Sequence, residues 1–149
     1  MSLKKRIEED MKAAIKAQEK DKLRALRAIK SLILLAETAE GKSGELTSEE
    51  ELKLLVKAAK QRRESADIYG QQGRTDLQAI ELAELAVIEE YLPKKLSTDE
   101  LKARLQEIIQ RVGATSVKDV GKVMSIAIKE LEGQADGKEV AATVKELLS

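Results

Sequence analysis

VKDVGKVMSIAIKELEGQADGKEV, residues 117–140, decides how the rest of this 149-residue chain is read. At helical period Lys118, Lys122, Ser125 and Lys129 fall at i, i+4, i+7 and i+11, which sets three lysines on one face. Val117, Val120, Met124, Ile128 and Leu131 make an apolar stripe, widened by Val123, Ile126 and Ala127. The pattern predicts a largely enclosed helix. A glycine inside a helix costs about 1 kcal/mol relative to alanine, so Gly121 points to close packing or to close approach of a ligand. The helix breaks at Gly133, and Asp136-Gly137-Lys138-Glu139 opens another, with Asp136 as its cap and Glu139 completing a capping box.

Upstream of this stretch, Leu92-Pro93-Lys94-Lys95 is the main boundary, because proline drives the preceding residue out of helical geometry. Two domains follow from it, 1–94 and 95–149. In the second, Ser97 with Glu100 forms a capping box for a helix carrying Leu101, Leu105, Ile108 and Val112, and Gly113 stops that helix. With residues 117–131 and the last helix, 137–148, this makes three helices. In the first domain the apolar period predicts helices over about 3–17, 22–40, 49–69 and 76–92. Their inward residues are Leu3, Ile7, Met11, Ala14 and Ile15, then Leu26, Ile29, Ile33 and Ala36, then Leu52, Leu55, Val56, Ala59 and Ala66. Leu77, Ile80, Val87, Ile88 and Tyr91 serve the fourth. Ser48 with Glu51 is the expected start of the third helix, and Lys20, Arg24 and Arg27 read as a solvated face of the second.

Composition agrees with an all-α fold. Charged residues are 36% of the chain, aromatic residues are two tyrosines, and there is one proline. Lys plus Arg and Asp plus Glu are 27 each, so no net field steers the protein toward nucleic acid from afar. Local patches still act within a Debye length of about 8 Å. Absence of cysteine and histidine excludes disulfides, thiolate chemistry and metal sites built from those ligands. There is no 18-residue apolar run and no signal-peptide pattern at MSLKKRIEED, so the expectation is a soluble, cytoplasmic protein.

Few residues offer chemistry. G-K-S at 41–43 lacks the earlier glycine of a phosphate-binding loop, since Ala36 stands there. Glu81 and Glu84 point into the buried sector of the fourth helix. They read either as a general acid/base pair or metal ligands, or, the favoured reading, as an internal ion pair with Arg62, Arg63 or Arg74. Lys57, Lys60, Arg62 and Arg63 are the densest basic cluster. Ser125 has Lys122 and Lys129 as helix neighbours, but a protonated lysine is a poor base and no glycine-rich elbow accompanies any serine. No catalytic residue, cofactor or metal site is assigned.

Several of these motifs resemble the YqeY family: D-x-G-K-V-M at 119–124, G-x-A-D-G-K-x-V at 133–140, G-R-x-D-L at 73–77 and E-Y-L-P-K-K-L-S at 90–97. The tail also resembles that of the B subunit of glutamine-dependent tRNA amidotransferase (GatB). The resemblance covers nearly the whole chain and implies a helical N-terminal domain of about four helices plus a three-helix tail. Because the amidotransferase tail engages tRNA, it implies an RNA-facing surface, which here would comprise Lys118, Lys122, Lys129 and Lys138. The chain departs from the family pattern, with Lys129, Glu130 and Gln134 in place of Pro-Lys and Arg. A non-catalytic accessory role in tRNA-dependent amidation is the expectation. One alternative is a protein-interaction module for the amidotransferase or aminoacyl-tRNA machinery. Another is a part in carbon–nitrogen ligation, with glutamine as amido donor, supplied by partner subunits.

Overall fold

The computed structural model describes residues 2–39, 41 and 44–149. Among them are seven α-helices, one 3-10 turn and no strand, so the fold is all-α. The helices are α1 (Leu3–Lys16), α2 (Lys20–Glu37), α3 (Ser48–Gln71), α4 (Thr75–Glu89), α5 (Thr98–Val112), α6 (Val120–Glu130) and α7 (Gly137–Leu148). They fall into two compact units, Met1–Leu92 and Pro93–Ser149.

In the first unit, α3 and α4 are joined by a short turn in which Gly73 takes a left-handed φ of 70°. α3 packs mainly on α4, and α2 packs on α1 and α4. The core holds Leu3, Ile7, Leu26, Ile29, Ile33, Leu55, Ala59, Leu85 and Ile88. Small side chains at Ala58, Ala59 and Ala66 let α3 come close to its neighbours, a role their helical spacing supports. Tyr91 closes one end. Its hydroxyl donates to Asp10, and the Arg6 guanidinium lies 5.1 Å from its ring centroid. Burial first, and the Asp10 hydrogen bond second, push the Tyr91 phenol well above the usual range.

Several sequence expectations for this unit are corrected. Ile15 is 56% exposed and Ile80 is exposed too, because each lies at the edge of an apolar stripe wider than the contact it serves. Leu85, absent from the expected core, is buried. The cap of α3 is Thr47 rather than Ser48: its side chain accepts from the Glu50 N–H at 3.1 Å. Glu51 instead accepts from the Leu3 N–H at 2.9 Å and ties α3 to the start of α1. Of the G-K-S motif, Lys42 and Ser43 lie outside the described residues, as does Glu40 at the end of the expected second helix.

The second unit is a three-helix cluster around Leu101, Leu105 and Ile108 of α5, Val123 and Ala127 of α6, Leu131, and Val140, Val144 and Leu148 of α7. The Ser97–Glu100 capping box forms as expected, and Gly113 ends α5 with φ 70°. The Leu96 N–H donates to the Gln134 carbonyl at 2.9 Å and fastens the entry segment to the α6–α7 connection. A bidentate pair between Arg111 and Glu130, both contacts 3.0 Å, links α5 to α6.

Candidate functional site

The expected lysine helix is divided. Val117–Asp119 form a 3-10 turn, and α6 begins only at Val120. Ser116 caps the turn, its Oγ accepting from the Lys118 N–H at 3.3 Å, while Asp119 folds back to accept from the Thr115 N–H at 3.0 Å. That backbone hydrogen bond, helped by nearby Lys122, holds the Asp119 carboxyl below its usual value. Lys118 therefore belongs to a tighter turn, and the 3.6-residue period that aligned it with Lys122 does not extend to it. Lys122 and Lys129 do share one face of α6. Lys138 is the second residue of α7.

The enclosed face of α6 is also narrower than expected. Val123, Ala127 and Leu131 are buried, whereas Val117 and Ile128 are 51% and 53% exposed. At about 100° per residue, Lys122 and Lys129 point away from the line of Val123 and Ala127. The ammonium groups thus leave the unit on the side opposite its core. Gly121 lies on this open side, and no atom comes within 4 Å of a Cβ built there. Close packing does not explain this glycine.

All four lysines are exposed, and among the described residues no carboxylate lies within 4.0 Å of their ammonium groups. Three acids adjoin these lysines in sequence: Glu130 is held by Arg111 and Asp119 accepts from the Thr115 N–H, while Glu139 follows Lys138 at the start of α7. At the N-terminus of α7, Asp136 Oδ1 accepts from the Lys138 N–H at 3.4 Å. The capping-box reading is corrected there, because the aspartate bonds the second residue of the helix and no bond returns from Glu139. A helix start already holding its own carboxylate is a weaker phosphate seat than a bare one, so the lysine side chains carry the positive surface.

Glu81 and Glu84 are engaged in ion pairs. Arg62 Nε donates to Glu84 Oε2 at 2.8 Å and lies 3.7 Å from Glu81 Oε2. Arg24 Nε sits 3.5 Å from Glu84 Oε1. Three helices, α2, α3 and α4, are tied together by this cluster. Arg62 was among the expected partners, and Arg63 and Arg74 are not used. Arg74 pairs with Asp76 instead, at 3.1 Å. Lys20, Arg24 and Arg27 are exposed, as the solvated-face reading expects, and Arg24 reaches Glu84 as well, a contact that nothing in its local sequence marks, since its partner comes from a helix some sixty residues on. The Ser125 hydroxyl donates to the Lys122 backbone carbonyl at 2.9 Å, a bond within the helix. Among the described residues no group of three or more His, Cys, Asp or Glu side chains could hold a metal ion, and no helix is long and apolar enough to cross a membrane.

A family model described as Yqey-like protein matches residues 4–148. No curated protein matches the chain.

Proposed function

The chain belongs to the YqeY family, and on that footing we propose that it is a non-catalytic accessory protein of tRNA-dependent amidation. It binds tRNA, or another structured RNA, through Lys118, Lys122, Lys129 and Lys138. The observation that carries this reading is a set of four exposed ammonium groups on the second unit with no carboxylate within 4.0 Å among the described residues. Two other basic groups of the second unit do pair, at Arg111–Glu130 and Lys102–Glu146. Exposed lysines outside ion pairs are the groups that exchange condensed counterions for contact with a phosphate backbone.

The type of RNA follows from what the chain lacks. Single-strand binders stack bases on aromatic rings, and here only Tyr69 and Tyr91 are aromatic, with Tyr91 buried. Contact with the backbone of a folded RNA remains, and the open side at Gly121 allows that backbone to approach α6. With equal numbers of acids and bases in the chain, attraction is local rather than long-range.

Fluorescence anisotropy with bulk tRNA tests the reading. The double charge reversal Lys122→Glu/Lys138→Glu should abolish binding while leaving helicity unchanged by circular dichroism. Reversal of the exposed Lys12 on α1 should leave binding intact. Equal loss in both variants would show that total charge matters and the proposed surface does not.

A further inference from the structure

The first unit carries a second surface, unrelated to the lysines of α6 and α7. Between α2 and α3 runs a groove with a cavity volume of about 350 Å³, lined by Leu32, Lys53, Leu54, Lys57, Ala58 and Gln61. It exists because α3 leans on α4 while α2 leans on α1 and α4, so α2 and α3 meet along only a short contact. Its floor is carbon: Leu32 from α2, Leu54 and Ala58 from α3. Leu35, three residues beyond Leu32, continues the apolar surface along α2 and is 68% exposed.

On the α3 side Lys53 and Lys57 line the groove beside the neutral Gln61. Lys53, Lys57 and Lys60 recur at i, i+4 and i+7 along α3, all exposed. Lys53 meets Glu49 at 3.4 Å, a fully solvated contact worth little. Among the described residues no carboxylate lies within 4.0 Å of Lys57 or Lys60. An apolar trough bordered on the α3 side by ammonium groups is complementary to an amphipathic helix whose apolar stripe is flanked by carboxylates. Small-molecule pockets span roughly 300–1,000 Å³, so this volume takes about two or three aliphatic side chains, the number that i, i+3/i+4 and i+7 positions of one helix present. A polynucleotide would satisfy the lysines and leave the leucine floor uncovered.

We propose that the α2–α3 groove docks an acidic amphipathic helix of a partner protein, with its aliphatic residues on Leu32, Leu54 and Ala58 and its carboxylates on Lys53, Lys57 and Lys60. The groove belongs to the first unit and the lysines of the RNA surface to the second, so either can fail alone.

The probe is a synthetic 16-residue helical peptide with leucines at i, i+4, i+7 and i+11 and glutamates along one flank. A control peptide carries lysines at the glutamate positions. Methyl-resolved NMR of the full chain reads the site directly. The acidic peptide should shift the Leu32 and Leu54 methyl signals saturably, and the basic control should bind at least about tenfold more weakly. Lys53→Glu/Lys57→Glu, both on exposed positions, should reverse that preference without changing the spectrum of the free protein. Absence of shifts at Leu32 and Leu54, equal response to both peptides, or matching shifts on addition of bulk tRNA would each overturn the proposal.

Discussion

Replacing Glu84 with alanine removes the carboxylate at which α2, α3 and α4 converge. Glu84 is 13% exposed and Arg62 21%, and the 2.8 Å bond between them is charge-assisted. Deleting one member of a fully buried pair costs about 3–5 kcal/mol, because the surviving charge has no partner. Here Arg62 keeps Glu81 at 3.7 Å and some water, so the cost falls toward that of one hydrogen bond to a charged group, about 2–3 kcal/mol. For a unit of this size 1 kcal/mol moves Tm by about 4–8 °C, which places the Glu84→Ala shift at roughly 8–24 °C by calorimetry. Glu84→Gln keeps an acceptor for Arg62 and should lose less. A cycle with Arg62→Ala should show coupling of about 1–3 kcal/mol. A Glu84→Ala transition within about 2 °C of the parent would refute the claim that this cluster fixes the packing of the three helices.

Two glycines in the second unit should respond in opposite directions. Gly121→Ala meets no neighbour and sits in a helix, so it should stabilise the unit by about 1 kcal/mol, and it should weaken RNA binding if the open face serves backbone approach. Gly113→Ala should destabilise by about 1–2 kcal/mol, since φ is 70° there, and chemical denaturation of both variants reads the pair. Glu100 titrates below its ordinary 4.5 because Ser97 donates to it, hydroxyl first and backbone N–H second. A depressed folded pKa gives stability that is complete above the unfolded value and lost as pH falls through the folded one. The difference between the parent and Glu100→Gln should therefore persist at pH 7 and close as pH falls below the ordinary 4.5, and a difference constant with pH would contradict it.

The fold was legible because period and punctuation agree along the chain. Pro93, the Ser97–Glu100 box and Gly113 mark ends that local chemistry enforces, and the structure places them there. What the sequence concealed is mostly tertiary. The carboxylate of Glu84 announced a buried partner, and Arg62 was in reach of inference. Arg24 became visible only once α2 lay beside α4. Thr47 and Ser48 both suit a helix start, and the chain's path, with Glu51 bonded to the Leu3 N–H, selects Thr47. The lysine stripe is one turn shorter than the sequence period implies, because Val117–Asp119 tighten into a 3-10 turn when Asp119 bonds back to Thr115. Gly121 is unusual inside a helix, and of its two explanations, packing and ligand approach, the empty space around it removes the first.

The central claim is that ammonium groups of the second unit grip RNA phosphates, and the salt dependence of tRNA binding tests it most directly. Four phosphate contacts on duplex-like RNA give a slope of about −3 to −4 in log K against log salt, or roughly a hundredfold weakening between 50 and 200 mM. The account predicts that slope for the parent chain and a slope reduced by about two for Lys122→Glu/Lys138→Glu where its binding is still measurable. Affinity that stays level across this salt range, or a slope indifferent to the two reversals, would contradict it.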